Sequence, residues 1–196
     1  MGLRSSKQLQ TPHCHDCVIT GADGIGLHTF MRKFQGLNST DHLRMEGMGL
    51  YSPGTCLING QEVSFTINMW KNIHQYKGDF QDYMDNLGIP FTRIFLFAYS
   101  ITDQHSFEEM KKMYQYVYKQ RQTVLVLDNA ESNLHHDYQC LIVGFKCDLN
   151  SRRVVAKTDA ETWSAGECVP YIEISTTSGQ NLPALFHRIS LLSRTV

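Results

Sequence analysis

The chain has 196 residues, of which 42% are hydrophobic and 19% charged, and its formal net charge is -1. These values are typical of one globular domain with a hydrophobic core. Lysines and arginines form only short pairs, and no apolar run reaches the ~20 residues that cross a membrane. We therefore expect a cytoplasmic protein that has no transmembrane helix and does not bind nucleic acid.

The first 15 residues are polar and lack a periodic pattern, so we expect a flexible N-terminal tail there. They begin with MGLRSS, which fits the N-myristoylation pattern with Gly2 as the acceptor, although such a short pattern also occurs in ordinary tails. A single acyl chain binds membranes only marginally. Peripheral membrane contact through the N-terminus would therefore need a second signal.

A C-x-x-C pair, Cys14 and Cys17, is flanked by His13 and His15 and could belong to a zinc site. Structural zinc sites use four ligands, usually from two such pairs, and the sequence has no second pair. We therefore expect no metal site. We interpret the six cysteines as thiols, because cytosolic proteins rarely form disulfides.

The first predicted unit is a strand, a glycine-rich turn and a helix. Cys17–Thr20 is a short apolar strand, residues 21–26 are rich in glycine, and Leu27–Phe34 has apolar residues at helical spacing. This context is typical of a phosphate-binding loop. Two further strands, Gly54–Asn59 and Gln61–Trp70, meet at an Asn-Gly dipeptide that favours a hairpin turn.

The second half of the chain alternates strands with helices. The predicted elements are a strand at Arg93–Tyr99, a helix at Ser106–Gln120, a strand at Cys140–Phe145, a helix at Lys157–Gly166, a strand at Val169–Ile174 and a helix at Leu182–Leu192. Residues 124–137 are more than a connection needs, and we interpret them as an insertion. The alternation predicts one α/β domain over residues 16–196. Its sheet would be six-stranded and mostly parallel, with one antiparallel edge strand and helices on both faces.

Four degenerate motifs occur along the chain in a fixed order. They are the glycine loop at 21–26, YSITD with SFE at 99–108, VGFKCDL at 143–149 and EISTT at 173–177. In order and spacing they resemble the Ras superfamily of small GTPases, over nearly the whole chain from Asp16 onward. The resemblance implies a Ras-like G domain with the P-loop NTPase fold. Residues 68–71, NMWK, are most similar to the Rad/Gem branch, which carries Asp-aliphatic-Trp-Glu at this point.

The resemblance identifies a vestigial phosphate loop, which keeps its glycines and loses its charged and metal-binding side chains: Gly21, Asp23, Gly24, Gly26, Leu27, His28 and Thr29. Leu27 stands where the family has the lysine that neutralises the phosphates. His28 stands where the family has the hydroxyl that binds magnesium, with Thr29 one place late. Asp23 adds a negative charge inside the loop. We therefore expect the loop to hold neither a triphosphate nor Mg²⁺ firmly.

The family's second magnesium handle is an Asp at the end of the third strand. It corresponds to Asn68, or to Met69 if the register shifts by one. The residues that follow lack the glycine that senses the γ-phosphate: Trp70, Lys71 and Asn72. The resemblance therefore implies a vestigial switch region.

Two further parts of the hydrolytic machinery have no counterpart. Ile73 or His74 falls at the position of the water-orienting Gln, and residues 44–48 lack the threonine of the first switch. Phosphoryl transfer depends almost wholly on positioning and charge stabilisation. We therefore expect no GTP hydrolysis.

The base-contacting end is better preserved and comprises Phe145, Lys146, Asp148, Ser175 and Thr176. The resemblance implies that Asp148 accepts from the ring N–H and amino group of guanine and that Lys146 packs along the base. Ser175 and Thr176 would present a backbone amide to the guanine carbonyl. Phe145 replaces the Asn that ties these loops together. The same residues are also consistent with a surface turn retained by ancestry.

Together these residues predict a Ras-like pseudo-GTPase that serves as a protein-interaction or scaffolding subunit without a cofactor. Its predicted partner-binding face is the aromatic stretch Trp70–Phe91. The alternative is an atypical GTP/GDP-binding regulator of the Rad/Gem type, recruited to membranes. Such a regulator would bind nucleotide weakly and without Mg²⁺.

Overall fold

The computed structural model describes residues 17–34, 44–46, 49–58, 61–71, 92–127 and 138–194. Their strands are β1 (Cys17–Gly21), β2 (Arg44–Glu46), β3 (Gly49–Ile58), β4 (Gln61–Lys71), β5 (Ile94–Ser100), β6 (Gln139–Phe145) and β7 (Tyr171–Glu173). Their α-helices are α1 (Leu27–Phe34), α2 (Gln104–Leu127), α3 (Lys157–Gly166) and α4 (Leu182–Arg194), and a 3₁₀ segment covers Cys147–Arg152. None of the helices described is both long and apolar enough to span a membrane.

The strands form one sheet in the order β2-β3-β4-β1-β5-β6-β7. β3 pairs antiparallel with β2 and β4, and all other neighbours are parallel. The predicted fold class is therefore confirmed. The strand count differs, because the described residues include a seventh strand, β2, where the first switch was expected. Ile58 lies opposite Gln61, so β3 and β4 pair as the Asn-Gly dipeptide predicts, although residues 59 and 60 themselves lie outside the described residues.

Apolar side chains cover both faces of the sheet, as expected where parallel strands are buried on both sides. One core cluster joins the sheet to α1 and α4 and includes Phe30 and Leu185. The other joins the sheet to α2 and α3 and includes Met113 and Ala160. The helices therefore lie on both faces, as predicted.

Helix α2 is longer than predicted at both ends. It begins two residues before Ser106 and ends at Leu127 rather than near Gln120. The Asp103 carboxylate accepts a hydrogen bond from the Ser106 N–H at 3.3 Å, so Asp103 caps the helix and accounts for its early start. The first part of the predicted insertion, residues 124–127, therefore continues the helix. The rest of the insertion lies outside the described residues.

Candidate nucleotide-binding site

A glycine loop connects β1 to α1 at the carboxyl edge of the parallel strands, where sheets of this kind bind ligands. Gly24 and Gly26 have φ values of 77° and 113°, which residues with a side chain rarely adopt. At Gly21 a Cβ would lie 2.6 Å from the Ala98 carbonyl oxygen, so only glycine fits beside β5. The Phe30 N–H donates to the Gly26 carbonyl at 3.0 Å within the first turn of α1. The loop therefore has the strand–glycine–helix geometry that the sequence predicts.

The loop has no cationic side chain, and its hydroxyl, on Thr29, is one place later than in the family pattern. Leu27 is only 3% exposed and packs in the core cluster of α1 and α4. Asp23, His28 and Thr29 are exposed, and no lysine or arginine occurs between Gly21 and Phe30. The loop can offer backbone N–H groups to an anion, but it has no positive side chain of its own to balance the charge.

Phe145 packs below the glycine loop. Its ring is fully buried and meets the Phe30 ring edge-on, with 5.7 Å between the centroids. A Cβ on Gly26 would lie 3.6 Å from Phe145 Cδ1, which is ordinary contact distance. The position where the resemblance expects a loop-tying Asn is therefore part of the hydrophobic core and contributes packing alone.

Lys146 joins the first base-contacting motif to the glycine loop. Its backbone is left-handed, with a φ of 65°, and its ammonium donates to the Gly24 carbonyl at 2.9 Å. The two residues are 122 positions apart in the sequence. The structure thus brings together two predicted site regions from opposite ends of the chain.

The second base-contacting loop lies beside the first. The Cys147 N–H donates to the Ile174 carbonyl at 3.1 Å and so connects the two loops through their backbones. Ser175 is fully buried, and its Oγ accepts hydrogen bonds from the N–H groups of Thr177 and Ser178 at 3.2 and 3.0 Å. The Ser175 side chain therefore stabilises the turn.

Two groups at this end remain available to a ligand. Asp148 is exposed, and its carboxylate makes no hydrogen bond or ion pair within the part of the chain that the structure describes. The same holds for the backbone N–H of Thr176. The Thr176 Oγ1 lies 3.9 Å from where a Cβ on Gly26 would stand, so this loop adjoins the glycine loop. Asp148 and Thr176 are the residues that the resemblance assigns to the guanine edge and carbonyl.

Strand β4 continues beyond the predicted magnesium handle. Asn68 lies opposite Val18, and the strand runs on to Lys71 opposite Gly21. Asn68 is therefore three residues before the end of the strand, which runs one residue beyond the predicted Trp70 through the pairing of Lys71 with Gly21. Met69, which takes the position of the family's Asp if the register shifts by one, is 2% exposed and belongs to the core. Its thioether sulfur is not a ligand that Mg²⁺ prefers.

The other predicted switch and anchor residues are only partly covered by the structure. Trp70 and Lys71 are the last two residues of β4. Residues 44–46 of the first switch form β2, which pairs with β3. Gly2, Cys14 and Asn72 lie outside the described residues. The same is true of the Trp70–Phe91 face from position 72 to Phe91.

The family model that describes the Ras family matches residues 17–193. The chain belongs to the Ras family. It is 25% identical to the Ras-related protein Ral-a of Drosophila melanogaster over 182 residues, which cover 93% of this chain and 82% of that protein. It is also 25% identical to the GTP-binding protein GEM of Homo sapiens over 174 residues, which cover 88% of this chain and 53% of that protein. A likeness to the Rad/Gem branch is thus supported, but no more strongly than one to Ral-a.

This Ras-family domain also contains an ion-pair network that the sequence does not predict. Arg153 donates to both carboxylate oxygens of Glu173, at 2.7 and 2.8 Å. The Tyr171 hydroxyl donates to the same carboxylate at 2.5 Å and lies 2.8 Å from the Tyr99 hydroxyl. Gly144 leaves room for this contact across β6, because a Cβ there would lie 3.0 Å from the Tyr99 hydroxyl. No motif or periodicity pairs residues that belong to different elements in this way.

The network keeps Glu173 ionised. Burial alone would raise the pKa of Glu173, but hydrogen bonds from Arg153 and Tyr171 outweigh it and hold the pKa below its ordinary value. The hydrogen bond to Glu173 raises the pKa of Arg153 further. Burial raises the pKa of both Tyr171 and Tyr99, so both hydroxyls stay protonated at neutral pH. The ion pair is therefore complete near neutral pH.

A polar cavity of about 530 Å³ opens beside this network, between the 3₁₀ segment, α3 and β7. The Arg153–Glu173 pair is part of its lining. No group of three or more His, Cys, Asp or Glu residues in the described ranges could hold a metal ion. The side chains of four cysteines are described, and all four are thiols, as expected: Cys17, Cys140, Cys147 and Cys168.

Proposed function

We propose that this Ras-family domain acts as a protein-interaction or scaffolding subunit and does not hydrolyse GTP. Leu27 carries the proposal. At the position of the family's phosphate lysine, the chain has an apolar side chain that is 3% exposed and packed in the core. Phosphoryl transfer is accelerated by positioning and by stabilisation of charge, and a buried leucine supplies neither.

Two further features support the same proposal. His28 replaces the magnesium-binding hydroxyl with an imidazole, whereas Mg²⁺ prefers oxygen ligands. Residues 44–48 lack the threonine of the family's first switch. Phosphate charge, metal ligand and switch are thus all altered at once, and catalysis needs them together.

The partner-binding face that we propose is the stretch Trp70–Phe91. It contains an aromatic residue every few positions, and aromatic side chains are favoured anchors at protein interfaces. These residues are Trp70, Tyr76, Phe80, Tyr83 and Phe91. Binding through this face requires no cofactor. Peripheral membrane contact through Gly2 stays a separate prediction.

The purified protein should release no stoichiometric guanine nucleotide on heat denaturation. With GTP and Mg²⁺ it should liberate phosphate no faster than buffer, because Leu27 and His28 replace the groups that neutralise the phosphates and hold the metal. Anion-exchange chromatography of the denatured supernatant and a phosphate assay measure the two quantities. A hydrolysing small GTPase serves as the positive control. Mg²⁺-dependent phosphate release that follows the protein peak through gel filtration would overturn the proposal.

A second candidate function is weak, magnesium-indifferent binding of guanine nucleotides. It is favoured by the hydrogen bond from the Lys146 ammonium to the Gly24 carbonyl, which joins the base-contacting motif to the glycine loop at 2.9 Å. The Asp148 carboxylate and the Thr176 N–H are unengaged within the described residues and match the donors and acceptor of guanine. Because the phosphates would gain little, GDP should bind about as well as GTP.

If guanine nucleotides bind, Asp148→Asn should weaken GDP binding about 10- to 100-fold, the usual effect of losing a charged hydrogen bond. The same variant should gain affinity for xanthosine diphosphate. Xanthine presents an oxygen where guanine has its amino group, and the new amide can donate to that oxygen. Calorimetric titration with each nucleotide measures both effects. The matched control is Asp159→Asn, which makes the same change at an exposed carboxylate on α3. This variant should bind GDP like the wild type. Equal GDP affinity in the two variants would contradict a role for Asp148.

A further inference from the structure

Glu173 connects three elements behind the base-contacting loops. Its carboxylate receives two hydrogen bonds from Arg153, which follows the 3₁₀ segment of the first loop. Its carbonyl receives a hydrogen bond from the Asn181 side chain at 2.8 Å, and Asn181 immediately precedes α4. Arg153 also donates through Nε to the Asn150 Oδ1 at 2.9 Å, within the 3₁₀ segment. Glu173 is thus a common partner of both loops and of the entry to α4.

The loops need such a connection because the residue expected to tie them cannot do so. Phe145 is fully buried and has no polar side-chain atom. Two backbone bonds join the two motifs: the Cys147 N–H donates to the Ile174 carbonyl at 3.1 Å, and the Ile174 N–H donates to the Gly144 carbonyl at 2.8 Å. Both end at Ile174, so they do not fix the orientation of the Asp148 carboxylate relative to the Thr176 N–H.

The Arg153–Glu173 pair is suited to this task by its geometry. The two parallel hydrogen bonds form a fork that resists rotation as well as separation. The side chains are only 17% and 10% exposed, so water competes little for them. The Tyr171 hydroxyl donates to the same carboxylate and is itself hydrogen-bonded to the Tyr99 hydroxyl on β5. The pair is therefore a rigid link rather than a mobile surface contact.

We propose that Arg153 and Glu173 are positioning residues that hold the two base-contacting loops in register for guanine, in place of the side chain missing at position 145. This inference rests on the second candidate function, binding of guanine nucleotides. It assigns neither residue a contact with the nucleotide. Their effect is on the relative placement of Asp148 and Thr176.

The test compares Glu173→Gln with Glu161→Gln, the same change on an exposed carboxylate that pairs with Lys157 at 3.6 Å and lines the same cavity. GDP and inosine diphosphate, which lacks the amino group that Asp148 would contact, are titrated below the unfolding transition of each variant. Wild type and Glu161→Gln should prefer GDP by about tenfold. In Glu173→Gln the GDP affinity should fall about tenfold, and the ratio of the GDP affinity to the inosine diphosphate affinity should approach one.

Hydrogen exchange provides a second readout without any ligand. In Glu173→Gln the Cys147 amide should exchange about tenfold faster, while the Phe30 amide at the glycine loop should keep its rate. Arg153→Lys retains the positive charge but loses the two parallel hydrogen bonds to Glu173, and it should give the same pattern. This variant replaces Glu173→Gln in the test if Glu173→Gln does not fold. A merely global loss of stability would accelerate both amides and leave the nucleotide preference unchanged.

The outcomes separate the inference from the function on which it rests. If the wild type binds GDP and Glu173→Gln shows the same affinity and preference, the inference is overturned and the second candidate function stands. If the wild type shows no binding up to millimolar GDP, both are overturned and the non-binding interaction subunit is supported. Loss of preference in Glu173→Gln and Arg153→Lys, with Glu161→Gln unchanged, supports the inference.

Discussion

Replacing Phe145 with alanine should lower the free energy of unfolding by about 3–5 kcal/mol, as expected for deleting a fully buried aromatic ring. The ring lies between the glycine loop and α1, where it contacts Phe30 with 5.7 Å between centroids. The loop above it is fixed by glycine backbone conformations and cannot easily collapse into the cavity. Urea denaturation with an unchanged m-value measures the loss. It would be a large part of the roughly 5–15 kcal/mol by which domains are stable.

Two companion variants sharpen the Phe145 prediction. Tyr118→Ala removes a ring that is 47% exposed and should cost less than about 1 kcal/mol. Phe145→Asn restores the family's residue, yet it should cost about as much as Phe145→Ala, because the amide would be buried in an apolar cluster. A stable Phe145→Asn variant would contradict our assignment of position 145 to the core.

The parts of the fold that could be predicted from sequence depend on short-range patterns. The glycine loop follows from an apolar run that stops at Gly21, and the hairpin between β3 and β4 follows from an Asn-Gly dipeptide. The proximity of Lys146 to the loop follows from motif order, because the carboxyl ends of parallel strands meet at one edge of the sheet. Local chemistry and topology were sufficient for these features.

Features that depend on long-range pairing could not be predicted. Pairing with β3 places residues 44–46 in a strand at the edge of the sheet, which their own sequence does not indicate. Leu27 could be recognised as apolar in the sequence, but its burial depends on how α1 packs against α4. The Arg153–Glu173 pair likewise depends on the approach of β7 to the 3₁₀ segment.

The core extends to two positions of the candidate site. Leu27 and Phe145 both belong to the cluster under the glycine loop, at positions where the resemblance expects Lys and Asn. Lys146 and Asp148 lie outside both core clusters. The interaction subunit that we propose would need the fold and its surface, and it would not need a charged phosphate loop.

Arg153→Ala should destabilise the protein by about 2–3 kcal/mol at pH 7. Breaking a fully buried pair typically costs about 3–5 kcal/mol, and the 17% and 10% exposure of these side chains reduces that cost. The loss arises because Glu173 would remain ionised and buried without its cation. Urea denaturation at pH 7 measures it. Lys157→Ala, which removes the cation of an exposed pair at 3.6 Å, is the control and should cost about 0.5 kcal/mol or less.

The loss from Arg153→Ala should shrink as the pH falls. In the wild type the pKa of Glu173 is lowered, so its stabilising contribution is complete above the unfolded pKa of about 4.3 and disappears as the pH falls through the folded pKa. In the variant the hydrogen bonds from Arg153 are gone and only that from Tyr171 still opposes the effect of burial. The pKa of Glu173 is therefore higher than in the wild type, so the carboxyl takes up a proton at a higher pH and its penalty is relieved. Denaturation at pH 7 and at pH 4 should therefore show a smaller difference between wild type and Arg153→Ala at pH 4. A difference that stays constant or grows on acidification would show that Arg153 stabilises the fold by packing and not by holding the charge of Glu173.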